Sequence, residues 1–195
     1  MPMMLRQRRA ILSDAFSTGK RLLAGLALCG LLGCSPGLNW RTVTPADSML
    51  EVLLPCKPET VKRPVDWAGK DVVLVVTGCK AGAFLFAVSY MDLMDERQVA
   101  PVLMQWQESV RASVGTQVTT SSTRFVPAHA RDIPLSVRLS LQGMGTDGQP
   151  VHAQAVWFVR QGDAARIRVY HALVFGSPVD SEAADTMLGS LRLLP

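Results

Sequence analysis

The stretch VHAQAVWFVRQGDAARIRVYHAL, residues 151–173, decides the fold. Val151, Ala153, Ala155, Trp157 and Val159 take alternate positions, and so do Ile167, Val169, His171 and Leu173 after the break at Gly162-Asp163-Ala164. Strict alternation marks a strand with one buried face, and a glycine-bearing break between two such runs marks a hairpin. A three-residue loop at that break sets Val159 opposite Ile167, Trp157 opposite Val169, Ala155 opposite His171 and Ala153 opposite Leu173. One apolar face then runs unbroken across both strands. Upstream, Leu135, Val137, Leu139 and Leu141 add a third strand to that face through the Gly-rich turn Gly143–Pro150.

Working outward, the first half reads as short strands at 49–55, 60–66, 72–77 and 83–91. The period then changes. Val99, Val102, Leu103, Trp106, Val110 and Val114 recur at three- and four-residue spacing, which predicts an amphipathic helix over 96–114. Asp95 with Gln98 reads as its cap, and Pro101 makes its first turn start late or kink. Val118–Arg124 is a Ser/Thr-rich strand or loop. A closing helix is expected from Ser181 to Leu193, capped by Asp180, or by Ser177 with Pro178 at its first position. Strands, helix, strands, helix is an α+β order: an antiparallel sheet with two packed helices.

Before this domain lies a different kind of sequence. Arg6, Arg8, Arg9, Lys20 and Arg21 against Asp14 alone account for the whole net charge of +4. The remainder is neutral, so the basic balance is no argument for nucleic acid. Leu22–Leu32 is an apolar run of eleven residues, ~16 Å as a helix and far short of the ~30 Å hydrocarbon core of a membrane. It reads as the hydrophobic part of a signal peptide. Leu31-Leu32-Gly33-Cys34-Ser35 resembles the lipobox of bacterial lipoproteins. The resemblance implies diacylglycerol on the Cys34 sulfur, cleavage after Gly33 and acylation of the new amino group, so the protein is anchored in a membrane by its acyl chains. The rival Cys29 follows the bulky Leu28, which suits the cleavage pocket poorly. Ser35, where an aspartate retains lipoproteins in the inner membrane, favours the outer one. The expected organisation is a signal peptide at 1–33, a short tether at 34–47 that becomes ordered near Trp40, and one domain at 48–195, held at the cell envelope and facing the periplasm.

In that oxidising compartment the two remaining cysteines, Cys56 and Cys79, are expected to pair. A hairpin loop centred between Trp67 and Ala68 sets them opposite one another, so a disulfide would staple its open end. A redox-active pair, which normally takes a Cys-x-x-Cys form, and a metal site, which wants more ligands nearby, are the other readings.

The succession of elements resembles the Mog1/PsbP-like sandwich. The chain is also similar to uncharacterised Gram-negative envelope lipoproteins that open with Asn39-Trp40-Arg41, end a strand on Leu54–Pro58, place a second cysteine before a Gly turn and close on a Leu188–Arg192 helix. These motifs are structural and bring no activity with them.

Chemistry is sparse. His129, His152 and His171 are too scattered for a metal site, His171 reads as a hydrogen-bonded core residue, and no catalytic or cofactor motif is present. Asp92, Asp95 and Glu96 read as complements to the dipole of the first helix. The face opposite the apolar one gathers Arg138, His152, Gln154, Arg160, Arg166, Arg168 and Tyr170. It is either a solvated sheet face or a docking surface for an anionic partner: phospholipid headgroups, lipopolysaccharide phosphates or an acidic protein patch. The leading functional expectation is a non-enzymatic lipoprotein with a binding or accessory role, without cofactor or metal. The alternative is a periplasmic enzyme with His129 or His152 as general base.

Overall fold

The computed structural model describes residues 38–67, 69–163, 165–177 and 181–195. The expected signal segment, Cys34, Pro178 and the proposed helix cap Asp180 lie outside the described residues. The chain forms β1 (Arg41–Val43), β2 (Leu50–Leu54), β3 (Glu59–Trp67), β4 (Lys70–Ala81) and β5 (Phe84–Leu93), then a 3₁₀ turn (Glu96–Gln98) leading into α1 (Val99–Ser113). β6 (Thr116–Arg124), β7 (Val137–Met144), β8 (Pro150–Gln161), β9 (Ile167–Gly176), α2 (Ser181–Gly189) and β10 (Arg192–Leu193) follow. This is an α+β fold with two helices.

Seven strands make one sheet in the order β3-β4-β5-β9-β8-β7-β6, and every pairing in it is antiparallel. α1 carries the chain from the middle of the sheet to its far edge, and the meander β6–β9 walks back until β9 lies beside β5. A small sheet, β1-β2-β10, forms a separate layer.

The sheet is covered on both faces. On one, α1 lays Val99, Val102, Leu103, Trp106 and Val110 over Leu139, Leu141, Ala155, Trp157, Val159 and Val169. On the other, α2 and the small sheet bury Leu50, Val52, Leu54, Met187 and Leu188 against Phe86, Val88, Tyr90, Val156, Phe158 and Val174. Strands buried on both faces read as continuous apolar runs, which is why Val156-Trp157-Phe158-Val159 breaks the alternation. The polar face expected from β8 and β9 is therefore no open sheet face.

Two further differences have local causes. The β8–β9 pairing is shifted from the expected one: Val159 faces Val169, Trp157 faces His171 and Ala155 faces Leu173. A slip of two residues keeps every side chain on its expected face, which is why the faces held while the pairs moved. The last helix stops at Gly189, where the Ser190 hydroxyl donates to Met187 O at 2.6 Å and accepts from Leu53 N at 2.8 Å. Freed from the helix, Arg192 and Leu193 pair with Glu51 and Leu50 as a strand. The expected tether is ordered near Trp40, as its sequence suggests: β1 pairs with β2, and Trp40 packs edge-on against Phe86 at 6.2 Å.

Cys56 and Cys79 are joined in a disulfide with a Cα–Cα distance of 5.9 Å. The geometry is not the expected hairpin staple, because β3 and β4 pair two residues out of that register, Glu59 facing Gly78 and Trp67 facing Lys70. Cys56 sits instead in the bend before β3, and the bridge clamps that bend to the continuing β4 strand.

Candidate functional site

The β1–β2 connection, Pro45-Ala46-Asp47-Ser48-Met49, has little repetitive structure of its own, so its backbone groups must find partners elsewhere. Ser48 is fully buried and closes the turn, its hydroxyl donating to Pro45 O at 2.7 Å and accepting from Leu50 N at 3.1 Å. The next four carbonyls are each taken by a donor from another element. Tyr90 Oη donates to Ala46 O at 2.7 Å, an Arg168 guanidinium N–H to Asp47 O, Tyr170 Oη to Ser48 O at 2.6 Å, and Leu194 N to Met49 O at 2.9 Å. Asp47 and Met49 have φ of 58° and 54°. An unbranched side chain in the left-handed region costs ~1–2 kcal/mol, which the bonds on either side offset.

Beside this loop the sheet runs on past its cover and forms a groove. One cavity of about 660 Å³ is floored by Val73, Val75 and Tyr90 and rimmed by Lys62, Asp71 and Asp92. A second, of about 470 Å³, lies against Met49, Arg160, Asp163 and Tyr170. Asp47, Arg166 and Arg168 line both, so the two cavities adjoin. Each is of small-ligand size.

Arg168 is the electrostatic centre. Its Nε and a terminal nitrogen reach the two Asp92 oxygens at 2.6 and 2.7 Å, and its guanidinium lies 4.6 Å above the Tyr90 ring. The hydrogen bonds it donates to Asp92 raise its pKa, against the desolvation of burial, so the cation is permanent. Burial pushes the Tyr170 hydroxyl up to about 12 and raises that of Tyr90. Both phenols therefore stay protonated and serve as donors to the loop. Arg166 is freer: half its side chain is exposed, and Asp92 is 4.0 Å away. No family model and no curated protein matches the chain.

The structure divides the residues expected on the polar face. Arg160, Arg166, Arg168 and Tyr170 meet at the groove, although Arg160 spends one N–H on Leu194 O at 2.7 Å and Tyr170 is wholly buried, stacked on Phe158 at 5.0 Å. Arg138 binds Gln154 and Asp185, tying the sheet to α2. His152 lies at the opposite end of β8, facing Gly176. Most of this set holds the second layer in place instead of facing solvent.

The histidines separate likewise. His129 is exposed, with φ of 66°, and neither it nor His152 lines either cavity. Among the described residues no His, Cys, Asp and Glu side chains gather as a metal site. His171 is core, stacked between Trp106 and Trp157 at 4.9 Å each, and Trp67 extends the cluster at 5.0 Å from Trp106. The expectation that it is hydrogen-bonded fails at Nε2, which has no partner, as has Trp157 Nε1. Desolvation lowers its pKa to about 3.

Sequence reasoning missed Asp47, Tyr90 and the role of Asp92. Asp95 does accept from Arg97 N at 3.0 Å as a cap. Asp92, however, belongs to β5 and faces Arg168 across the β5–β9 pairing. Only that long-range adjacency brings the two together, and no local pattern announces it.

Proposed function

We propose that this chain is a lipid-anchored envelope lipoprotein whose domain works by binding, as an accessory part of a membrane-associated assembly. The observation that carries the reading is the sequence Leu31-Leu32-Gly33-Cys34 behind an apolar run too short to span a bilayer. The Cys56–Cys79 disulfide supports it independently, since such bridges belong to oxidising compartments. Ser35 points to the outer membrane. The two-sided cover of the antiparallel sheet is in keeping with a Mog1/PsbP-like sandwich.

The binding site in this reading is the groove beside the 45–49 loop. Its charges are mixed: Asp47, Asp71 and Asp92 stand among Lys62, Arg166 and Arg168. That favours a protein segment carrying both signs over a phosphate-rich lipid, for which three carboxylates would be repulsive. The enzyme alternative takes His129 or His152 as general base, and neither lines the groove.

Mass spectrometry of the mature protein tests the anchor: a diacylated or triacylated N-terminal Cys34 is expected, and Cys34→Ser should release the domain from the membrane fraction. A mature chain starting elsewhere with a free thiol would overturn it. For the groove, a photo-crosslinking residue at Asp71 should capture a protein partner in intact envelopes that the same probe at Ser109, on the α1 side, does not. Equal capture at both positions would remove the groove from the proposal.

A further inference from the structure

The large sheet ends in two edges, and they are built differently. β3 carries Lys62, Arg63 and Asp66 and has Pro64 in mid-strand, the charges and missing N–H that keep one strand from templating another. β6 has none of these. From Thr116 to Thr123 it reads TQVTTSST, without a charge or a proline, and ends on Arg124. Its side chains from Thr119 to Arg124 are all exposed, and it is the last strand of the sheet. A register shift between Thr116 and Thr119, with Gln117 at φ of 54°, spoils the first part of the edge. Thr119–Arg124 is left as a regular strand, paired to β7 without interruption from Thr119–Gln142 to Arg124–Val137. On its outer side the alternate N–H and C=O groups have no strand to meet.

We propose that β6 pairs with β6 of a second copy of this chain, antiparallel about a two-fold axis at Ser121, and that the protein is a homodimer through a sheet continued across both copies. The sequence of the edge is what selects a second copy. Centred on Ser121, the pairing sets Thr119 opposite Thr123, Thr120 opposite Ser122 and Ser121 opposite itself. From Thr119 to Thr123 every contact is between small hydroxyl side chains, which form cross-strand hydrogen bonds. The one charge in the segment, Arg124, falls opposite Val118, at the far end of the ladder from its counterpart and ~20 Å from it. Arg124 also has Asp132 of its own copy beside it. A two-fold axis requires such self-complementarity. A strand bearing charges would find no counter-charge along these positions, whereas the β3 edge would place Lys62 or Arg63 beside its own image.

The test uses the full chain, in envelope membranes and after extraction in mild detergent. Ser121→Cys should give an oxidised covalent dimer on a non-reducing gel, because the two thiols face each other across the axis, while Arg63→Cys on the guarded edge should not. Ser121→Lys sets two like charges opposite one another and should weaken self-association in sedimentation equilibrium by at least about tenfold, with an unchanged circular dichroism spectrum. A monomeric wild-type chain, equal crosslinking at both positions, or a dimer indifferent to Ser121→Lys would each overturn the proposal. So would a Ser121→Cys adduct with a different protein in place of the homodimer, which would assign the edge to a foreign strand.

Discussion

Acid should unfold this protein through His171, and the size of the effect follows from its position. The imidazole is buried between two indole rings with no carboxylate beside it, and desolvation takes its pKa from 6.5 to about 3. In the unfolded chain it titrates near its ordinary value. Below that value the unfolded state therefore binds a proton that the folded state refuses, so stability falls as pH falls, and the fall levels off only near pH 3. Each unit of pH below 6.5 costs ~1.4 kcal/mol, or ~3 kcal/mol by about pH 4.5, a large part of the stability of a domain this size. His171→Phe fills the slot with a ring of similar shape that cannot take a proton. Urea melts of both proteins at about pH 7.5 and about pH 4.5 isolate the effect, because the carboxylates titrate alike in each. The wild type should lose ~3 kcal/mol more than the variant over that interval. Parallel losses would show that the imidazole is not held neutral by the tryptophan cluster.

Three further perturbations probe the second layer and its staple. Tyr170→Phe leaves the Ser48 carbonyl without its 2.6 Å donor and should cost ~1–2 kcal/mol in urea melts, with faster amide exchange confined to residues around the 45–49 loop. Asp92→Asn removes the charge that holds Arg168 and should cost ~2–3 kcal/mol, whereas the double variant Asp92→Asn with Arg168→Gln should lose clearly less than the two single losses combined, as a double-mutant cycle reads. Replacing Cys56 and Cys79 by serine opens a loop of sequence separation 23 and should cost ~3 kcal/mol, matched by reduction of the wild type with dithiothreitol.

Local pattern carried most of the main sheet. The amphipathic spacing from Val99 to Val110 found α1, alternation found β7, β8 and β9 with their α1-facing side chains, and the turn residues found the hairpins. Failures came where distant contacts decide. Arg192 and Leu193 continue an apolar period that suits a helix, yet Gly189 and Ser190 end the helix and β2 offers them a strand partner. β1 is three residues long, too short to show alternation. The β8–β9 register was misplaced by two residues because the flanking hydrophobic pattern is indifferent to a slip that keeps every side chain on its face.

Arg168 shows why the groove was less legible than the sheet around it. A polar side chain on a strand has two destinations, water or the backbone of a covering layer, and alternation looks the same for both. What separates them here is a count of acceptors elsewhere: a short loop between β1 and β2 brings four consecutive carbonyls against the sheet, and each needs a donor. Tyr90, Arg168 and Tyr170 supply three of those donors, and Asp92 fixes the guanidinium that supplies one. Once they are committed inward, the charges left to meet a partner are those around them: Asp47, Lys62, Asp71 and Arg166, on a rim whose shape depends on the strained backbone at Asp47 and Met49. Binding at the groove and stability of the second layer are therefore coupled through the same four hydrogen bonds. A variant such as Tyr170→Phe should blunt any partner contact at the groove while leaving every charge on its rim in place.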